Sequence, residues 1–132
     1  MAAGRVVTTP EVVALLRDDG LPKGDAIAVA RIAGIMGAKR TPDLVPLCHP
    51  IGLTGVTVDL EITDTAVEIT ATTKTADRTG VEMEALTSVV TAGLALIDMI
   101  KAVDPAASIE AVRVVRKEGG KTGEWVRPKD RP

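Results

Sequence analysis

The stretch GVTVDLEITDTAVEITATTKT, residues 55–75, contains two runs in which apolar and polar side chains alternate. Alternation with a period of two is typical of a strand with one buried face and one solvated face. The runs flank Asp64 and Thr65, so they predict a β-hairpin. The sheet is therefore expected to be antiparallel here, and the neighbouring segments indicate what covers it.

A long helix is predicted directly after the hairpin. From Val81 onward, apolar residues recur at helical spacing as far as Ile100, and we expect Pro105 to end the helix. The segment SIEAVRVVRK, residues 108–117, then alternates imperfectly, which predicts a last strand with a bulge.

Two further helices are predicted before the hairpin. In residues 8–20, Thr9 is a suitable N-cap, Pro10 fits the first helical position and Gly20 fits the stop. The second helix, AIAVARIAGIMGAK at residues 26–39, contains glycines that indicate close packing against another helix, of this chain or of another subunit. Three prolines in residues 41–52 predict a turn-rich connector.

These elements together predict an α+β fold in which a largely antiparallel sheet is packed with helices on one face. The length fits a single domain over residues 1–132. Residues 118–132 are polar and contain Gly and Pro, so we expect a mobile tail.

Composition restricts the class of protein. The chain has one Trp, no Phe and no Tyr, so small aliphatic side chains must fill the core, and its net charge of -2 provides no broad basic surface for nucleic acid. A single cysteine excludes an intrachain disulfide, and no signal-peptide pattern opens the sequence, so we expect the cytoplasm. The longest uncharged stretch, residues 85–97, is shorter than the roughly 20 residues that cross a bilayer, so we expect no membrane partner.

The only cysteine and the only histidine, Cys48 and His49, are adjacent in LCHPIG. A structural zinc ion takes about four ligands, and neighbouring side chains in an extended segment point to opposite faces, so the pattern argues against a metal site. Cys48 fits either a buried filler or a nucleophile. His49 fits either a structural residue or a proton-transfer group, because imidazole titrates near neutral pH.

Charged residues at the two ends of the long helix admit two interpretations each. Asp98 and Lys101 lie three apart, which fits an ordinary solvated helix end or a lysine tuned by a neighbouring carboxylate. Glu82 and Glu84 fit either a favourable interaction with the helix dipole or a ligand contact.

Two lysines lie in glycine-containing loops. Lys23, in LPKGD before a helix, is placed where a phosphate could be bound. Lys121, in EGGKTG, resembles half of a P-loop, but the strand-to-helix context of that motif is missing.

The length of the long helix constrains any site that uses both of its ends. Glu84 and Lys101 would be about 25 Å apart on an unbroken helix. If both residues are functional, we expect a composite site made from opposite helix ends of neighbouring subunits.

Four segments resemble the molybdenum cofactor biosynthesis protein C family, the cyclic pyranopterin monophosphate synthases. They are KGDAIAVARIAGIMGAKRTPDLVPLCHPIGLTGV, DRTGVEMEALTSVV, IDMIKAVD and KEGGKTGEW, in the family's order and between about Gly20 and Trp125. The resemblance implies a ferredoxin-like fold and a homohexamer built as a trimer of dimers. It also implies active sites at the dimer interface.

The reaction implied by the resemblance converts 3',8-cyclo-7,8-dihydroguanosine triphosphate, supplied by a radical SAM enzyme, into cyclic pyranopterin monophosphate and pyrophosphate. It requires acid–base groups and cations, with no resident cofactor, although a divalent ion such as Mg²⁺ could accompany the triphosphate. The implied catalytic residues are Lys23, His49, Asp98 and Lys101. The implied substrate-binding residues are Cys48, Glu82, Met83, Glu84, Lys117 and Lys121.

The beginning of the chain departs from the family pattern. Members usually carry an N-terminal segment with an arginine that reaches the triphosphate, whereas MAAGRVV matches only the end of that region and Arg5 is not at that arginine's position. The departure leaves an alternative to the active synthase, namely a catalytically impaired member that binds a nucleotide or pterin.

Overall fold

A computed structural model describes residues 1–18, 20–21, 23–119 and 123–129. Its main sheet contains β1 (Ala2–Val7), β2 (Leu53–Ile62), β3 (Ala66–Thr75) and β4 (Ser108–Val114). The strand order is β2-β3-β1-β4 and every neighbouring pair is antiparallel. The predicted hairpin is confirmed as β2 and β3, which are joined through residues 63–65.

The described residues form the helices α1 (Pro10–Arg17), α2 (Ala26–Lys39), α3 (Thr41–Leu44) and α4 (Glu82–Ile100). The element order β1, helices, β2, β3, α4, β4 and the sheet order are those of a ferredoxin-like α+β fold, which confirms the predicted class. Helix α4 packs on β1, β3 and β4, while α2 packs on β2 and on α4. The two long helices therefore cover one face of the sheet.

Strand β1 was not predicted from the sequence, although it lies between β3 and β4 at the centre of the sheet. Its small residues Ala2 and Gly4 lie on the buried face, and a Cβ atom on Gly4 would lie 2.9 Å from Val89 Cγ1 of α4. The strand needs small residues where it lies beneath α4, and these are not strong strand formers. This explains why the strand shows no clear alternation of apolar and polar residues in the sequence.

Several helix boundaries in the structure differ from the predicted ones. Thr9 caps α1 as expected, with its Oγ1 accepting from Val12 N, but the helix ends at Arg17 rather than near Gly20. Helix α4 ends at Ile100, before Pro105, and residues 41–44 form one helical turn within the predicted connector. The predicted bulge in β4 is present, since the register with β1 shifts between Ala3 and Arg5.

The polar tail contributes structure that was not predicted. A two-stranded ribbon pairs β5 (Arg116–Lys117) with β6 (Trp125–Val126). The mobility expected for residues 118–132 stays a prediction.

The glycines of α2 have the predicted role, and the neighbouring helix is α4 of the same chain. A Cβ atom on Gly34 would lie 3.2 Å from Ser88 O, and one on Gly37 would lie 2.7 Å from Thr91 Cβ. This close approach compensates for the shortage of large side chains in the core.

Helix α4 has the length and mean hydropathy, 1.6, of a membrane-spanning helix. Half of it is nevertheless buried inside this chain, and a core helix passes the same test. Its apolar composition is therefore explained by its packing on the sheet and on α2.

Candidate functional site

Lys23, Asp98 and Lys101 form a cluster at the C-terminal end of α4. Lys101 Nζ lies 2.5 Å from Asp98 Oδ1, and Lys23 Nζ lies 3.4 Å from Asp98 Oδ2. Each carboxylate oxygen thus has its own lysine, although Lys23 and Asp98 are 75 positions apart. All three side chains are about half exposed, so the cluster is open to a ligand.

The local sequence around Lys23 explains how the lysine reaches Asp98. Gly24 adopts a φ of 101°, which only glycine tolerates readily, and it redirects the chain immediately before α2. Asp25 then caps α2, because its Oδ1 accepts from Ala28 N at 3.0 Å. In the KGD motif, Lys23 therefore supplies the charge, Gly24 allows the change of chain direction, and Asp25 caps the helix that follows.

The charges in this cluster favour an ionised Asp98. The hydrogen bond from Lys101, the positive charge of Lys101 and the charge of Lys23 all lower the pKa of the Asp98 carboxyl. At neutral pH Asp98 is therefore a carboxylate that holds two ammonium groups towards the same solvent-facing position.

A second group of predicted residues lies at the opposite end of α4. A cleft of about 200 Å³ at this end brings the CHP segment of the connector against the first turn of the helix. Its lining includes Cys48, His49, Glu82, Met83 and Glu84. The structure thus brings together five of the predicted side chains that are up to 36 positions apart in the sequence.

Glu84 is the most unusual side chain in this cleft. It is only 3% exposed, and its Oε2 has no hydrogen-bond partner among the residues that the structure describes. Burying a carboxylate oxygen without a donor costs free energy. The oxygen itself has almost no exposed surface, so a ligand's donor would reach it only after the Glu84 side chain turns towards the cleft.

Glu82 contacts the third predicted region. Its Oε1 lies 3.0 Å from Nζ of Lys117 in β5. Burial raises the pKa of Glu82, but the hydrogen bond from Lys117, a bond to its own backbone N–H and the charge of Lys117 outweigh burial, so the net pKa is lowered. Lys121 lies outside the described residues, so its predicted contact stays a prediction.

A larger groove of about 650 Å³ adjoins this cleft, and the sequence did not indicate most of its lining. Besides Glu82 and Lys117, the groove includes Lys74, Arg116 and threonine hydroxyls from the end of β3. The signal that could have found Lys74 is the alternation of β3, which places it on the solvated side near the strand end. The groove adds positive groups next to the smaller cleft, together with the carboxylates of Asp77 and Glu118.

The two groups are separated by the length of α4. The helix is unbroken from Glu82 to Ile100, so Glu84 and Lys101 are about 25 Å apart along its axis. One chain therefore presents two separate groups of predicted site residues, which we call the lysine half-site (Lys23, Asp98, Lys101) and the cleft half-site (Cys48, His49, Glu82, Met83, Glu84).

Within the described ranges, no three His, Cys, Asp or Glu side chains lie close enough together to hold a metal ion. Cys48 has a free thiol that is partly buried in the wall of the small cleft.

A family model and the similar proteins found by comparison all point to the same family. The model of the MoaC family matches residues 1–120, which includes the first strand that the resemblance did not cover. Proteins named cyclic pyranopterin monophosphate synthase from Streptomyces coelicolor and Nocardioides sp. are 65% and 60% identical over 96% of this chain, which spans 74% and 80% of their lengths. A protein of Mycobacterium tuberculosis named cyclic pyranopterin monophosphate synthase 2 is 61% identical over 96% of this chain and 76% of its own length. The chain belongs to the MoaC family.

Proposed function

We propose that this protein is a cyclic pyranopterin monophosphate synthase. It converts 3',8-cyclo-7,8-dihydroguanosine triphosphate into cyclic pyranopterin monophosphate and releases pyrophosphate, as a lyase of molybdenum cofactor biosynthesis. The observation that carries the proposal is the bonding of Lys23 and Lys101 to the two oxygens of Asp98. The relatives named for this activity support it.

The lysine half-site supplies the chemistry in this proposal. Opening and reclosing the purine-derived ring requires proton transfer, and a lysine beside a carboxylate can give and take back a proton. The second ammonium group stabilises negative charge that develops during cyclisation and departure of pyrophosphate. Asp98 keeps both ammonium groups in place.

The cleft half-site supplies recognition. Glu84 turns towards the cleft and its Oε2 accepts from a donor on the guanine-derived ring, which gives a partner to an oxygen that has none in the described part of the chain. His49, exposed at the mouth of the cleft, donates to a phosphate or transfers a proton. Lys117 and Lys121, near the C-terminal end of the chain, bind phosphate oxygens of the substrate.

A second copy of the chain joins the two half-sites. An exposed apolar stripe on α4, formed by Met83, Val90 and Leu94, runs from the cleft half-site towards Asp98. When two such helices pair almost antiparallel around a two-fold axis, Val90 of each copy faces Leu94 of the other, and Met83 faces Lys101 of the partner subunit. Pairing therefore buries the stripe and completes two identical composite sites.

The exposed apolar residues of α2 extend this surface. Val29, Ile32 and Met36 lie at helical spacing on α2 and are 41–58% exposed. Together the two helices offer a continuous apolar face that a dimer would cover. The larger assembly, a trimer of such dimers, follows the family resemblance.

The substrate comes from a radical SAM enzyme in the cytoplasm, and any divalent cation such as Mg²⁺ arrives with the triphosphate rather than as a resident cofactor. Neither nucleic acid nor a membrane is a partner.

Turnover of enzymatically prepared cyclo-dihydro-GTP tests the proposal, with pyrophosphate release and pterin fluorescence as independent readouts. We expect the natural chain to form both products and Lys101→Ala to form neither. Lys129→Ala, an exposed lysine outside the matched residues, serves as the control with unchanged turnover.

If the natural chain keeps its oligomeric state by light scattering but forms no product, the synthase proposal is wrong. Calorimetric binding of a GTP analogue in that case would identify a family member that binds nucleotide without turnover.

A further inference from the structure

Asp104 is a buried carboxylate that the proposed chemistry does not use. It is 8% exposed and lies three residues after Lys101. Its Oδ2 accepts from Thr8 Oγ1 at 2.7 Å, and its Oδ1 accepts from Ala106 N at 3.0 Å. Both oxygens are therefore engaged by groups within the chain.

The hydrogen bonds of Asp104 and Thr8 connect the sheet to the end of α4. Thr8 directly follows β1, and its N–H donates to Thr65 O at 2.9 Å, so Thr8 is itself attached to the β2–β3 loop. The Asp104 N–H donates to Ile100 O at 3.0 Å, which closes the turn after the helix. A continuous series of bonds thus runs from the hairpin loop through Thr8 and Asp104 to Ile100.

This connection matters because Lys101 occupies the C-cap of α4. The last turn of a helix leaves carbonyl groups without intrahelical partners and frays unless it is held from outside. Asp98 and Lys101 both belong to that last turn, so fraying would separate the two atoms that lie 2.5 Å apart.

We propose that Thr8 and Asp104 are positioning residues that hold the last turn of α4 so that Lys101 remains bonded to Asp98. The catalytic consequence rests on the proposed function, whereas the geometric consequence holds for the folded chain without any substrate.

Two variants test the proposal. Thr8→Val removes the hydroxyl donor while keeping the side-chain shape and the bond between Asp104 and Ala106 N. Asp104→Asn replaces one carboxylate oxygen by an NH2 group, which donates and cannot accept, so at most one of the two bonds accepted from Thr8 Oγ1 and Ala106 N remains. Thr73→Val is the control, because it removes a partly buried hydrogen bond of a threonine hydroxyl, from Thr73 Oγ1 to Val81 O at 2.9 Å, at the opposite end of α4.

The measurement is the pKa of Asp98, followed through the side-chain carboxyl signal in ¹³C NMR and assigned with Asp98→Asn. Lys101 on the same helix and Lys23 before α2 are the charged groups that lower this pKa in the natural chain. We expect the pKa of Asp98 to rise towards its ordinary value in Thr8→Val and Asp104→Asn, and to stay lowered in Thr73→Val.

An unchanged pKa of Asp98 in folded Thr8→Val would overturn the proposal. If Asp104→Asn does not fold, Thr8→Val alone decides the question. In the turnover assay we expect kcat to fall about tenfold or more, with a smaller change in KM, because a misplaced catalytic group lowers the rate more than binding. Should the natural chain show no turnover, the synthase proposal fails while the pKa of Asp98 still tests the positioning role.

Discussion

Mixing two inactive variants tests whether the half-sites of different copies combine. His49→Ala damages the cleft half-site and Lys101→Ala damages the lysine half-site, and both side chains are exposed, so neither change should prevent folding. Because α4 separates Glu84 from Lys101 by about 25 Å, each intact site must draw one half from each subunit.

The separation of the half-sites determines how much turnover a mixture of the two variants should recover. After co-expression in equal amounts, half of the dimers contain one chain of each variant. In such a dimer one site carries both substitutions, whereas the other site carries neither. We therefore expect the mixture to recover about one quarter of the natural turnover, although each variant alone has almost none.

The assay is pyrophosphate release from cyclo-dihydro-GTP by co-expressed chains carrying two different affinity tags, purified through both tags in succession. Assemblies isolated in this way contain both variants, but a trimer of dimers also carries unmixed dimers, so the expected activity stays at about one quarter of the natural value. Activity that stays at the level of the single variants in assemblies shown to contain both tags would refute the composite site. A mixture of Lys23→Ala with Lys101→Ala is the matched control, because both changes damage the lysine half-site and no intact site can form.

Three further predictions concern the scaffold and the lysine half-site. Gly37→Ala should lower the free energy of unfolding by roughly 1–3 kcal/mol in chemical denaturation, because its Cβ atom would crowd Thr91 of α4, and unchanged stability would show that the two helices separate easily. Ala111 has a φ of 55° in the bulge of β4, so Ala111→Gly should raise the free energy of unfolding by up to about 1 kcal/mol, and a loss of stability would contradict this account of the strain. The lysines lower the pKa of Asp98 in the folded state, so the natural chain should be more stable than Asp98→Asn at neutral pH. This difference in the free energy of unfolding should be complete above the unfolded-state pKa of the carboxyl and should disappear as the pH falls through the lowered, folded-state pKa. A difference between those two proteins that does not change from neutral to acidic pH would show that the lysines leave Asp98 unaffected.

Short-range patterns in the sequence were sufficient to predict several helices and strands. The alternation in residues 55–75 identified β2 and β3, and the helical spacing after Val81 identified α4 to within one residue at its start. Both patterns depend only on side chains a few positions apart, which is why they can be recognised without tertiary information. The pairing of Asp98 with Lys101 belongs to the same class, since residues three apart share a helix face.

Other features depend on which distant segments pack together. Strand β1 occupies the centre of the sheet because its small residues fit beneath α4, and no local pattern marks that fit. The burial of Glu84 also follows from packing, because a glutamate in a first helical turn is usually solvated.

The sequence by itself determined the hairpin, the N-cap of α1, and a helix too long for one ligand to touch both of its ends. Only the tertiary structure decided that Lys23 meets Asp98 across 75 positions and that Lys117 meets Glu82. The physical reason is the range of the interactions involved. Local periodicity and capping act within a few residues, whereas the choice of a distant partner depends on how the whole core closes around small side chains.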